Sequence, residues 1–129
     1  MNVPLNFVAI AVATLAAMII GYLWYGPLFG KYWRRLSGLD SKPAPKPQII
    51  YPVTLVASFA TALSLAWVSS ATGVNPVAVA AILWLGFSAS RALIVTLFEA
   101  RPLRLFMINT GHNLAVALAM AVTIGLMGA

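Results

Sequence analysis

With 129 residues, 62% of them hydrophobic and only 8% charged, the chain lacks the polar groups to cover a soluble domain, which carries roughly 25% charged residues. The formal charge of +6 would suit nucleic acid in a soluble protein. Here the basic residues bracket long apolar runs, so no nucleic-acid partner is expected and a membrane surface is. The absence of cysteine excludes disulfides and thiolate chemistry, and the length leaves room for one domain, residues 1–129.

Four apolar runs come in order, at about 3–25, 50–71, 76–98 and 102–127. Each is long enough to cross a hydrocarbon core, which takes about 20 residues. The pattern predicts an all-α fold, an integral membrane four-helix bundle. Gly26-Pro27 is expected to break the first helix, because proline lacks the amide donor and clashes with the preceding turn. Gly73 stands at the usual place just past a helix end, and Asn75-Pro76 offers an N-cap and a first-turn proline to the third helix. Pro102 suits the first turn of the fourth. The connections at 72–75 and 99–101 are therefore tight, which makes the helices they join antiparallel neighbours.

The connection at 27–49 contains two pieces. In 28–38, Leu28, Phe29, Tyr32, Trp33 and Leu36 share one helical face, with Lys31, Arg34 and Arg35 opposite. This reads as a short amphipathic interfacial helix in the headgroup plane, and Lys31, Trp33, Arg34 and Arg35 are its expected contacts to anionic lipid headgroups. Pro43, Pro45 and Pro47, with Lys42 and Lys46, then suggest an extended strap over 40–48.

Basic residues set the orientation. Lys31, Arg34, Arg35, Lys42 and Lys46 lie in the first connection and Arg101 and Arg104 at the third, while the N-terminus, the second connection and the C-terminus carry none. The positive-inside rule then places both termini outside and the basic loops at the cytoplasmic face. Tyr22, Trp24, Tyr25, Tyr32, Trp33 and Tyr51 are expected to form an aromatic belt on that face, with Trp67 near the other. A cleaved signal peptide is not expected, since no basic residue precedes the first run.

In lipid, helices associate by close backbone approach and polar contacts. Small residues recur every fourth position: Ala9, Ala13, Ala17 and Gly21 in the first helix, Ser58, Ala62, Ala66 and Ser70 in the second, and Gly111, Ala115, Ala119 and Thr123 in the fourth. These ridges either pack the bundle itself or leave one face for another chain.

One set of residues carries chemistry. Arg91 lies about 12 Å inside the third helix at 1.5 Å per residue, where a charge costs on the order of 3 kcal/mol and seldom faces lipid. A simple hairpin centred near Arg101 brings it level with Gly111. This predicts an intramembrane polar cluster of Arg91, Asn109, His112 and Asn113, with Ser88 one turn away. Such a cluster fixes the register of the hairpin, binds an ion, proton or anionic ligand, or meets a partner chain. His112, the only histidine, does not make a metal site by itself, and no cofactor or metal is expected. Catalytic readings fare poorly: Asp40 and Glu99 are the only acids, and neither stands near His112. Glu99 is expected to pair locally with Arg101 or Arg104.

The stretch Trp24-Tyr25-Gly26-Pro27-Leu28-Phe29-Gly30, followed by Trp33 and Gly38, and the stretch from Phe98 through Arg101-Pro102-Leu103-Arg104-Leu105-Phe106 to Ile108-Asn109 and Gly111 resemble two signatures of a bacterial family of small four-helix membrane proteins of unknown function. The resemblance implies a multi-pass protein of the bacterial cytoplasmic (inner) membrane and brings no activity with it. The expected role is non-enzymatic: an accessory or scaffolding subunit that associates with a membrane-protein partner or with itself. The alternative is a small homo-oligomeric transporter or channel using Arg91 and His112.

Overall fold

A computed structural model describes residues 5–38 and 46–128. Of the strap expected at 40–48, residues 40–45, with Lys42, lie outside the described residues, as do the first residues of the first apolar run. Pro47 and Gln48 are not extended but open a helix, because a proline suits a first helical turn. Four helices long and apolar enough to cross a membrane are present, Phe7–Leu28, Pro47–Thr72, Pro76–Phe98 and Leu103–Leu126, and the described residues contain no strand. The protein is an all-α, multi-pass membrane protein.

Helix α1 (Phe7–Leu23) starts where Asn6 leaves the extended region and its side-chain oxygen accepts the amides of Val8 and Ala9 at 3.1 and 3.2 Å. The Asn6 amide in turn donates to the Met127 carbonyl at 3.0 Å, which ties the start of the first span to the end of the last. At the other end Gly26-Pro27 does not stop the span. The chain widens into a π-helical turn, Trp24–Leu28, with Phe29 N–H bonding the Trp24 carbonyl at 2.9 Å. The wider turn lets the chain pass Pro27, which has no amide to give, before it changes direction. A short helix, α2 (Gly30–Ser37), comes next and ends at Gly38, whose φ of 76° suits glycine.

Helix α3 (Pro47–Thr72) begins on Pro47 and ends at Gly73, again left-handed at φ 73°. Asn75 caps α4 (Pro76–Leu83), its side chain accepting Val77 N–H at 2.8 Å. The third span then runs through a second π-helical turn, Trp84–Ala89, into α5 (Ser90–Phe98). A tight turn leads to α6 (Leu103–Leu126), with Pro102 at the N-cap rather than inside the first turn. That turn puts Ala100 at a positive φ of 54° and closes with Arg101 N–H on the Thr96 carbonyl at 3.0 Å.

Helix α6 occupies the centre, packed chiefly against α1 and α4, and α1 also packs against α3. Contacts of α3 with α4, and of α5 with α6, are sparse. The core is made of small and flexible side chains: Ile10, Ala13 and Ala17 of α1, Ala62 and Ala66 of α3, Val79 and Ala80 of α4, and Met120, Ala121 and Ile124 of α6. The α1 ridge is therefore buried, and so are the middle members of the α3 ridge. On α6 the deepest positions are Met120, Ala121 and Ile124, whereas Ala115 and Ala119 are half-buried on the flank. Thr14 is buried without an unmet donor because its hydroxyl bonds the Ile10 carbonyl of its own helix at 2.8 Å. Outside this core, large apolar side chains such as Phe98, Leu126 and Ile82 point outward. Lipid is the medium that accepts such a surface.

Candidate functional site

Two places on the bundle concentrate polar and aromatic groups, and both adjoin the first half of α6. The first lies between α6 and the π-helical turn that ends the first span. The turn around Pro27 aims Trp24 and Tyr25 at α6, where the sequence alone suggested an aromatic belt at the cytoplasmic face. The Trp24 indole N–H donates to the Ile108 carbonyl at 2.9 Å, and the Tyr25 hydroxyl donates to Asn109 Oδ1 at 2.7 Å. Phe29 packs on Trp24 with ring centroids 4.8 Å apart, and Trp33 of α2 packs on Tyr25 at 4.7 Å.

Two glycines make this closeness possible. A Cβ on Gly111 would stand 3.2 Å from Trp24 Cζ2, so the indole lies flush on the α6 backbone. A Cβ on Gly30 would stand 2.7 Å from the Tyr25 carbonyl oxygen, a clash with backbone that only glycine avoids. Gly21, the last of the α1 small residues, faces His112: a Cβ there would lie 3.5 Å from Nε2. That imidazole sits 4.8 Å from the Tyr25 ring and 6.2 Å from Trp24. Its Nε2 is shut away from any hydrogen-bond partner among the described residues.

The second place is an open groove of about 700 Å³ between α3 and the π-helical turn of the third span, floored by α6. Small and hydroxyl side chains line its α3 wall: Thr54, Ala57, Ser58, Ala60, Thr61 and Ser64. Trp84, Phe87 and Ser88 form the facing wall, and His112 and Asn113 lie on the floor. Trp84 is held by an indole bond to the Thr110 carbonyl at 2.8 Å. The Thr61 hydroxyl bonds its own helix at the Ala57 carbonyl, but the hydroxyls of Thr54, Ser64 and Ser88 make no hydrogen bond among the described residues. Lipid offers a hydroxyl at such depth nothing to bond.

The residues expected to cluster are brought together only in part. His112, Asn113 and Ser88 line the same groove. Asn109 accepts from Tyr25 instead, and His112 also stands beside the Tyr25 and Trp24 rings. Arg91 is exposed and has no hydrogen bond or ion pair among the described residues. The simple-hairpin geometry does not hold because α6 packs on α4 and leaves α5 only sparsely touched, and the π-helical turn adds a residue that rotates α5 about its axis. Glu99 pairs with Arg101 at 3.2 Å, both half-exposed, a contact worth on the order of 0.2–1 kcal/mol.

The α2 helix bears its basic residues outward, as its pattern predicts. Lys31, Arg34 and Arg35 are exposed, and the Arg35 guanidinium stands 5.6 Å over the Tyr32 ring. Its apolar side turns partly back on the bundle, where Phe29, Tyr32 and Leu36 border a notch with Arg104, Met107 and Ile108 of α6.

The roles of Trp24, Tyr25 and Trp84 as fasteners on α6 were not evident from sequence. In comparisons with known proteins, the model of a family described as "Protein of unknown function (DUF1761)" matches residues 8–125. No curated protein and no solved structure matches the chain.

Proposed function

From the geometry of this chain, which belongs to the DUF1761 family of proteins of unknown function, we propose a non-enzymatic role: an accessory or scaffolding subunit that associates within the bilayer with a larger membrane assembly. The observation that carries this reading is the open groove on α3. A helix bundle that stood alone would be expected to close its helices around such a gap. Here α3 is held by α1 while its other side presents small and hydroxyl side chains along the span. Those are the residue types that let a foreign helix approach closely and hydrogen-bond in lipid.

The alternative, a small homo-oligomeric transporter or channel, draws support from His112 on the groove floor. It has less from Arg91, which lies outside the groove lining and apart from His112. The distribution of basic residues supports a placement in the bacterial inner membrane with both termini outside. Lys31, Arg34, Arg35, Lys46, Arg101 and Arg104 all lie at one end of the bundle, where they would meet anionic headgroups on the cytoplasmic face.

Native mass spectrometry of the protein extracted from its own membrane in mild detergent tests the association. The expected result is a defined assembly containing other subunits. A bare monomer or a homo-oligomer alone would overturn the proposal.

A further inference from the structure

The association reading leaves open what kind of partner the groove takes. Arg91 stands one turn beyond Ser88, and four residues after Phe87, both of which line the groove wall. It is not among the lining residues but stands next along the same span toward the basic end of the bundle. It lies about 10 Å short of the end of α5 at 1.5 Å per residue. It is exposed, and neither a hydrogen bond nor an acid engages it among the described residues.

None of the four spans carries an acid that could neutralise it from within the membrane. The sequence holds two acids, Asp40 and Glu99. Neither belongs to a span, and Glu99 is already bonded to Arg101. A second copy would bring another Arg91 and no further intramembrane acid, so self-association does not solve the problem. A charge at this depth seldom faces lipid and ordinarily pairs inside a bundle. Deeper in the span than Arg91, the groove offers Ser64 and Ser88 hydroxyls without partners, and the Asn113 amide.

We infer that the groove receives a transmembrane helix of a different protein, one that carries an Asp or Glu at the depth of Arg91 and pairs with it. This rests on the association reading and adds the chemistry of the partner. Small residues at Ala57, Ala60 and Ser64 admit the helix backbone. The groove hydroxyls bond its polar atoms, and the carboxylate meets the guanidinium, whose forked donors suit it. The charge selects the partner and the groove shape holds it.

The test uses the full chain in phosphatidylcholine vesicles at mildly alkaline pH. Its probes are synthetic leucine-alanine helices of about 23 residues, long enough to span, each with a single Glu or a single Gln at the depth of Arg91. Energy transfer between labelled protein and labelled helix reads association. The Glu helix is expected to associate about tenfold more tightly than the Gln helix, in line with a strong polar contact in lipid. Arg91→Gln should abolish that preference, and circular dichroism should show its fold unchanged, since Arg91 holds nothing in place. Ala57→Leu, which fills the groove, should weaken both helices.

Equal association of the two helices with the unaltered protein would overturn the inference, as would a preference that survives Arg91→Gln or the failure of both helices to associate. Equal association still weakened by Ala57→Leu would overturn the pairing while leaving the groove as a helix site, and would assign Arg91 to lipid headgroups. The composition of the native assembly decides the association reading separately, so the two can fail independently.

Discussion

Trp24 and Trp84 each open a π-helical turn, and each gives its indole N–H to a carbonyl of α6, at Ile108 and Thr110. Around Trp24 the space is filled: Phe29 stacks on it, Gly111 lies flush beneath it, and Tyr25, Trp33 and His112 continue the layer. Around Trp84 the space is open, and the same kind of fastening borders a groove. The difference lies in the path of the chain beyond each turn. After Trp24 it folds back at Gly30 and lays α2 against the cluster. After Trp84 it continues along the same span as α5, and among the described residues no folded-back segment covers the groove. In a medium that supplies little hydrophobic drive between helices, a bundle stays closed only where shape and hydrogen bonds meet on both sides. One flank of α6 satisfies that condition and the other does not.

Substitutions separate the two flanks, and reversible unfolding in mixed micelles with increasing SDS measures them. Trp24→Ala should have the largest effect, about 2–3 kcal/mol, because it removes a half-buried ring and opens a cavity beside Gly111. Gly30→Ala should cost about 1–3 kcal/mol, since the new methyl meets the Tyr25 carbonyl and the backbone has to move. A neutral result there would remove the close approach of α2 from the account. Trp84→Ala, beside space already open, should lose only about 1 kcal/mol, close to the worth of its hydrogen bond. A loss equal to that of Trp24→Ala would mean that the two flanks are packed alike. Tyr25→Phe should cost about 0.6 kcal/mol, an average hydrogen bond between membrane helices. Smallest of all, Ala57→Leu on the open flank should change stability by less than about 0.5 kcal/mol. A larger penalty would show that the groove closes in the membrane.

Much of the fold was legible in the chain itself. The four spans, the glycine stop at Gly73 and the cap at Asn75 come from run length and from local hydrogen-bond chemistry, which act over a few residues. The same holds for the α1 ridge of Ala9, Ala13 and Ala17, which is buried as its spacing suggests. The site was legible only in part. Asn109 and His112 could be picked out as polar groups needing partners, yet sequence spacing supplied Arg91, whereas the fold supplied Tyr25, with Trp24 fastening α6 alongside. Pro27 could be read as an interruption. That the interruption takes the form of a π-helical turn, and so aims two aromatics at α6, depends on the helix waiting opposite.

Run length and charge placement are local and additive properties, and they suffice to make this a multi-pass helical membrane protein with its basic residues gathered near one end. Which polar groups meet, which flank of α6 is sealed and why Arg91 is left facing outward were settled by the packing of the helices. Those outcomes turn on helix rotation, and one added residue in a π-helical turn rotates everything after it.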